Sequence, residues 1–278
     1  MLVLLAVVAC HPVLSGGSRF LECEDATIPP DMRCIPGGEF TRGSDRVSLQ
    51  EDTRKKVRDE SPIQRLTIST FFMDTTEVTH SAYQECVAAG KCPKAGPNYR
   101  GYSNPRQPML GANWFAARDY CKFRGKRLPT EAEWEKAARG PGGELYPTGN
   151  DPVTCETAII QAGGEKGCGT GRTWDVQSRP VERYGLYDMG GNSWEWVADW
   201  YSKDYAQCGA ACSGLDPRGP CEGKDECPGH KMKIVRGGSW WWDAESSLAS
   251  NRRPHFPANK PFHHFGFRCA RSPRASEE

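Results

Sequence analysis

RLPTEAEWEKAARG, residues 127–140, is the stretch on which the fold turns. Thr130 followed three residues later by Glu133 is a capping box, Pro129 stands just ahead of it, and Gly140 closes the run. Trp134, Ala137 and Ala138 give this helix an apolar face. The same stretch presents Glu131, Glu133 and Glu135, and grouped carboxylates can perform acid–base work. Acidic side chains in a first helical turn also lie at the positive end of the helix dipole. Capping and packing are therefore the expected role of all three.

Working outward, GANWFAARDYCKFRG (111–125) places Trp114, Ala117, Tyr120 and Cys121 on one helical face, with Gly125 as a stop. AYQECVAAG (82–90) reads as a helix capped by Thr79 or Ser81 and ended by Gly90. LTISTFFMDTTEV (66–78) has the β-branched and aromatic bias of one strand. Residues 45–60 are highly charged and read as a solvated loop or frayed helix. Beyond residue 140 helical signals are scarce, which leaves loops and short strands.

The chain has 278 residues, 37% of them hydrophobic, with 30 Gly and 21 Pro, enough for a core but rich in loops. A net charge of +1 gives no electrostatic footprint for nucleic acid or an anionic membrane surface. Nine Trp, several in tight clusters, point to aromatic packing. Residues 1–10, MLVLLAVVAC, read as a lipoprotein-type signal ending at Cys10, where lipid would attach. The apolar run is too short to span a bilayer. Residues 11–32 read as a linker. Apart from Cys10, twelve cysteines remain, and an even number fits disulfides in an oxidising compartment. Proximity allows Cys23 with Cys34, Cys86 with Cys92, and Cys155 with Cys168. For Cys208, Cys212, Cys221 and Cys227 a four-thiolate zinc site competes with disulfides.

Six segments together carry a family likeness. They are IPGGEFTRGS (35–44), FFMDTTEVTHSAYQECV (71–87), GANWFAARDYCKFRGKRLPTEAEWEKAARG (111–140), YGLYDMGGNSWEWVADWY (184–201), RGGSW (236–240) and FGFRCAR (265–271). In order and spacing they resemble the formylglycine-generating enzyme, or sulfatase-modifying factor, family. The resemblance implies an α+β fold over residues 33–272: a single loop-rich domain, the formylglycine-generating-enzyme variant of the C-type lectin fold, with a short tail at 273–278. It also implies a disulfide between Cys121 and Cys269. A second family disulfide is missing at both ends, where Ala138 and Arg252 stand.

Asp188 and Glu195 are hard oxygen ligands on a glycine-rich loop, a setting that suits calcium. The resemblance completes a structural calcium set with the carbonyls of Gly191 and Ser193. The family's other calcium site is not expected, because Ile159 and Ile160 stand where an Asn is needed. The family's copper-binding cysteines correspond to Trp242 and Ser247, and neither is a soft thiolate ligand for Cu(I). No catalytic residue is therefore assigned, copper is not expected, and the chain is not expected to be a formylglycine-generating oxidase. Ser239 matches a serine of the family's pocket. His255, His263 and His264, with Asp243 and Glu245, offer a two-His-one-carboxylate arrangement for iron. They read more simply as solvated loop histidines.

The sequence thus predicts an exported protein of the bacterial cell envelope, lipid-anchored or periplasmic. Its expected role is that of a non-catalytic module presenting Ser239, Trp240, Trp241, Trp242, Arg252 and Arg253 to a peptide, protein or glycan. Core packing is expected to claim at least one of the three tryptophans. The alternative is an oxidase or other modifying enzyme on the same scaffold.

Overall fold

The computed structural model describes residues 21–25, 27–50, 55–96, 99–258 and 263–273. Cys10 and the apolar run before it lie outside the described residues, as do residues 274–278.

β1 (Met32–Ile35) and β2 (Gly38–Arg42) are followed by a small antiparallel pair, β3 (Ser48–Gln50) with β4 (Lys55–Val57). β5 (Gln64–Ile68) and β6 (Phe71–Asp74) precede three helices, α1 (His80–Ala88), α2 (Trp114–Phe123) and α3 (Glu131–Arg139). β7 (Trp194–Trp200), β8 (Lys233–Arg236), β9 (Arg253–His255), β10 (Phe265–Gly266) and β11 (Ala270–Arg271) follow. The largest sheet has the order β10-β7-β8-β9, with β10 parallel to β7 and the other pairs antiparallel. β1 and β11 flank β6, and β2 pairs with β5.

The helices begin where the sequence places them. Thr79 caps α1, accepting from Ala82 N, and Asn113 caps α2, accepting from Ala116 N at 2.9 Å. In α3, Glu133 N donates to Thr130 Oγ1 (3.1 Å) and Thr130 N donates to Glu133 Oε2 (2.8 Å), which satisfies two otherwise orphaned amides. Trp114, Ala117, Tyr120 and Cys121 all face the core shared by α1, α2, β7 and β10. Trp134 packs in a second core with β2, β5, β6 and β8. Two indoles also tie α2 and its lead-in to the large sheet. Trp114 Nε1 donates to Val197 O and Trp196 Nε1 to Ala112 O.

The expectation of a single strand over 66–78 is corrected. The chain breaks at Ser69–Thr70, where Asp216 holds Ser69 and Thr70 donates back to the Leu21 carbonyl. β5 and β6 then serve different sheets. Residues 45–60 are not a frayed helix, since they contain the β3–β4 pair. Packed chain also begins ahead of residue 33, because Cys23 is bonded to Cys34.

The zinc alternative is overturned as well: Cys208 is bonded to Cys212, and Cys221 to Cys227. Cys86–Cys92, Cys155–Cys168 and Cys121–Cys269 bring the disulfides among the described residues to six, as suits an oxidising compartment.

Candidate functional site

β8 ends at Arg236 and delivers the Gly237–Trp242 turn. Both glycines are required there. Gly237 and Gly238 have φ of 95° and 76°, and a Cβ on either would press within 3 Å of Met189 O or Ser247 Oγ. The turn sends three tryptophans to different places. Trp240 is buried, its Nε1 donating to His263 O (3.1 Å), its ring packed against Tyr102, Trp241 and His263. Trp241 is half-buried, with Lys166 Nζ over its ring at 2.8 Å. Trp242 is half-buried in a box made by Trp194 (5.9 Å), His264 (4.7 Å) and the Arg253 guanidinium (4.3 Å).

Asp243 caps the short turn that follows, accepting from Glu245 N, and the turn buries Ser247. Ser247 Oγ and Trp194 Nε1 are buried polar atoms with no hydrogen-bond partner among the described residues. Burial, and then Arg253, His263 and His255, push the His264 imidazole down to about 2, so it is neutral.

Three residues assigned to a binding surface by sequence are not on one. Ser239 and Trp240 are buried. Arg252 is 3% exposed and grips Glu131 through Nε (2.7 Å) and Nη2 (3.1 Å), while its Nη1 donates to the Asp59 carbonyl. The reason is charge. Every residue of α3 is buried, and its carboxylates need cations. Arg252 and Arg236 serve Glu131, Arg236 and Arg139 serve Glu135, and Arg127 serves Glu133. The three glutamates are thus structural, as the sequence suggests. They act through a buried ion network rather than through the helix dipole alone. Trp241, Trp242 and Arg253 stay partly open to solvent.

Behind the turn lies the DMGGNSWE loop. Asp188 Oδ2 accepts from Gln177 N (2.8 Å), and Glu182 accepts from the amides of Met189 (2.7 Å) and Gly190 (3.4 Å). Ser193 Oγ and Asn192 Nδ2 donate to Glu77. Glu195 receives Arg268 through both oxygens at 2.7 Å, plus Trp134 Nε1 at 2.8 Å. Burial pushes Glu182 up to about 8 and Asp188 up to about 6, and it raises Glu77 with help from Asp188 and Glu195.

The sulfatase-modifying factor enzyme 1-like domain family matches residues 20–273. The chain belongs to this family. It is 32% identical to the serine/threonine-protein kinase pkn1 of Chlamydia pneumoniae over 98% of this chain and 43% of that protein. The chain therefore spans less than half the length of that relative. It is 30% identical to the formylglycine-generating enzyme of Bos taurus (87% of this chain, 75% of that one). It is 27% identical to the bovine inactive C-alpha-formylglycine-generating enzyme 2 (93% and 92%). Among solved structures, PvdO from Pseudomonas aeruginosa superposes with a TM-score of 0.67 at 25% identity, over 87% of this chain and 94% of that one.

In a sulfatase-modifying factor domain, a copper ion held by thiolates needs free cysteines. An indole stands at Trp242 and a hydroxyl at Ser247, while twelve cysteines of the described residues are bonded in pairs. These residues do not fit a copper site built on thiolates. His255 packs on Trp196 and Phe265, and His263 on Tyr99, Tyr102, Trp240 and His264. Among the described residues no three His, Cys, Asp or Glu side chains converge as a metal site. An ion at the DMGGNSWE loop would lean on backbone carbonyls, as calcium does. Asp188 and the excess of buried carboxylate over Arg268 fit such an ion. Glu195 fits less well, because Arg268 and Trp134 already hold both oxygens.

Sequence reasoning missed Glu77 and Arg268, which organise this loop from distant segments, and Glu182 just ahead of it. It also missed a cleft of about 620 Å³ between residues 101–107 and 170–178. The aromatic Trp174 on its wall was the one available signal.

Proposed function

We propose that this domain is a non-catalytic recognition module on the formylglycine-generating-enzyme scaffold. The observation that carries the reading is the packing of Trp242 against Trp194, His264 and Arg253, at the position where the family resemblance implies a thiolate. A partner cysteine brought to that point meets no sulfur with which to pair. The half-open side chains of Trp241, Trp242 and Arg253 form a recognition surface instead, of the aromatic-plus-Arg kind common in binding sites. A structural calcium at Asp188, the carbonyls of Gly191 and Ser193, and Glu195 would neutralise buried carboxylate charge and hold that surface in place.

The proposed setting is the cell envelope, with export through a leader ending at Cys10 and lipid attachment there. Six disulfides support an oxidising location. Metal analysis of the purified protein tests the reading. Calcium as the only stoichiometric metal is expected, whereas stoichiometric copper or iron would overturn it.

A further inference from the structure

The 620 Å³ cleft has the volume of a small-ligand site but not the usual apolar lining. Its walls carry hydroxyls, carboxamides, a carboxylate and a guanidinium, with one indole and no large aliphatic side chain. That composition disfavours a lipid or an apolar peptide anchor, which would leave many polar groups unpaired.

The cleft is held open by bonds between its two walls. Gln107 Nε2 donates to Thr173 O (2.8 Å), Tyr102 Oη to Gly171 O (3.0 Å), and Val176 N to Arg106 O (3.0 Å). Arg106 also faces Asp175 at 3.8 Å. A ligand would therefore enter a preformed site with little ordering cost. Trp174 is fixed as well, since its Nε1 donates to Gly167 O and Thr170 Oγ1 (both 3.0 Å). It packs on the same aromatic cluster as Tyr102, Trp240 and Trp241.

The free groups name the ligand. Among the described residues, the side chains of Ser103, Asn104 and Arg172 make no hydrogen bond or ion pair. Ser178 Oγ is a buried hydroxyl with no partner among the described residues. Arg172 lies across the backbone at Gly101, where a Cβ would come within 2.7 Å of its Nη1. The Arg179 guanidinium already lies over the Trp174 ring at 4.2 Å, so the match to a polyhydroxylated ring rests on the hydroxyl and carboxamide groups around that indole. The unpaired Arg172 guanidinium at the rim matches a carboxylate.

We propose that this cleft binds an acidic oligosaccharide. Ser103 and Asn104 bond the sugar hydroxyls beside Trp174, and Arg172 takes a uronate-type carboxylate. The assignment rests on reading the domain as a recognition module.

The test is calorimetric titration of the full chain with three probes: a hyaluronan tetrasaccharide, neutral chitotetraose and an acidic tetrapeptide. Binding of the hyaluronan tetrasaccharide is expected, weakened about ten-fold by Arg172→Gln and several-fold by Asn104→Ala. Both side chains are exposed and make no bond, so both variants should keep the parent melting temperature. Equal affinity for chitotetraose overturns the carboxylate role of Arg172. Equal affinity for the acidic tetrapeptide overturns the saccharide assignment, as does binding that neither variant changes. Failure of all three probes, in a protein that makes no formylglycine, sinks the cleft assignment alone. Formylglycine production would sink the module reading, whatever the saccharides do.

Discussion

Arg252 and Glu131 form a two-pronged ion pair inside the protein, with N–O distances of 2.7 and 3.1 Å and both side chains 1% exposed. Burial alone would raise the Glu131 carboxyl, but Arg252, and then Arg236, hold it below its ordinary range. Removing one member strands a buried charge. Arg252→Ala is expected to destabilise the fold by about 3–5 kcal/mol, measured by denaturant unfolding. Arg253→Ala, at the half-open stack on Trp242, should cost about 1 kcal/mol. Equal losses would mean that Arg252 is not the buried member of the pair.

The Cys121–Cys269 disulfide joins α2 to the C-terminal strands across 148 residues. In the chain-entropy model a bridge of that span contributes about 5 kcal/mol. The double variant Cys121→Ala, Cys269→Ala should lose stability of that order. The six-residue loop of Cys86–Cys92 should be worth less when opened the same way. Peptide mapping without reductant should recover the 121 and 269 peptides joined.

His264 gives the protein an acid-sensitive element. Its folded pKa, about 2, lies below the ordinary histidine value of 6.5. Below pH 6.5 the unfolded chain therefore binds a proton at this site that the folded protein refuses, so acid favours unfolding. The stability difference between parent and His264→Asn should move against the parent as pH falls from 6.5. The slope should approach about 1.4 kcal/mol per pH unit. A pH-independent difference would show that His264 is not held neutral.

Calcium binding predicts a melting temperature that falls on chelation. At calcium a hundredfold above Kd the ion would contribute about 2.7 kcal/mol. EDTA should remove that increment from the parent, and Asp188→Ala should already lack it. A parent indifferent to EDTA would leave the DMGGNSWE loop as a turn held by Glu182 and Arg268.

The parts of the fold visible in sequence are the local ones. Thr130 and Glu133 announce a capping box because both partners lie within one helical turn. The short-range disulfides follow from spacing in the same way. The division of residues 66–78 into β5 and β6 was hidden, because the break depends on Asp216, far along the chain, reaching Ser69. Arg252 looked like a surface anchor beside Arg253. Its burial depends on Glu131, 121 residues away, which needs a cation. The cleft at Trp174 was illegible for a related reason. Its walls come from segments about 70 residues apart, tied by Gln107 and Tyr102 to backbone carbonyls that no residue pattern reveals.

The central claim is that an indole at position 242 and a hydroxyl at position 247 end the thiol chemistry of this family in this chain. The direct measurement is mass spectrometry of a CxPxR cysteine peptide after incubation with the purified protein, copper and oxygen. The account predicts recovery of the unmodified cysteine peptide, at the level of a control without protein. A product with the mass of the aldehyde, formed above that control and in proportion to the protein added, would contradict it.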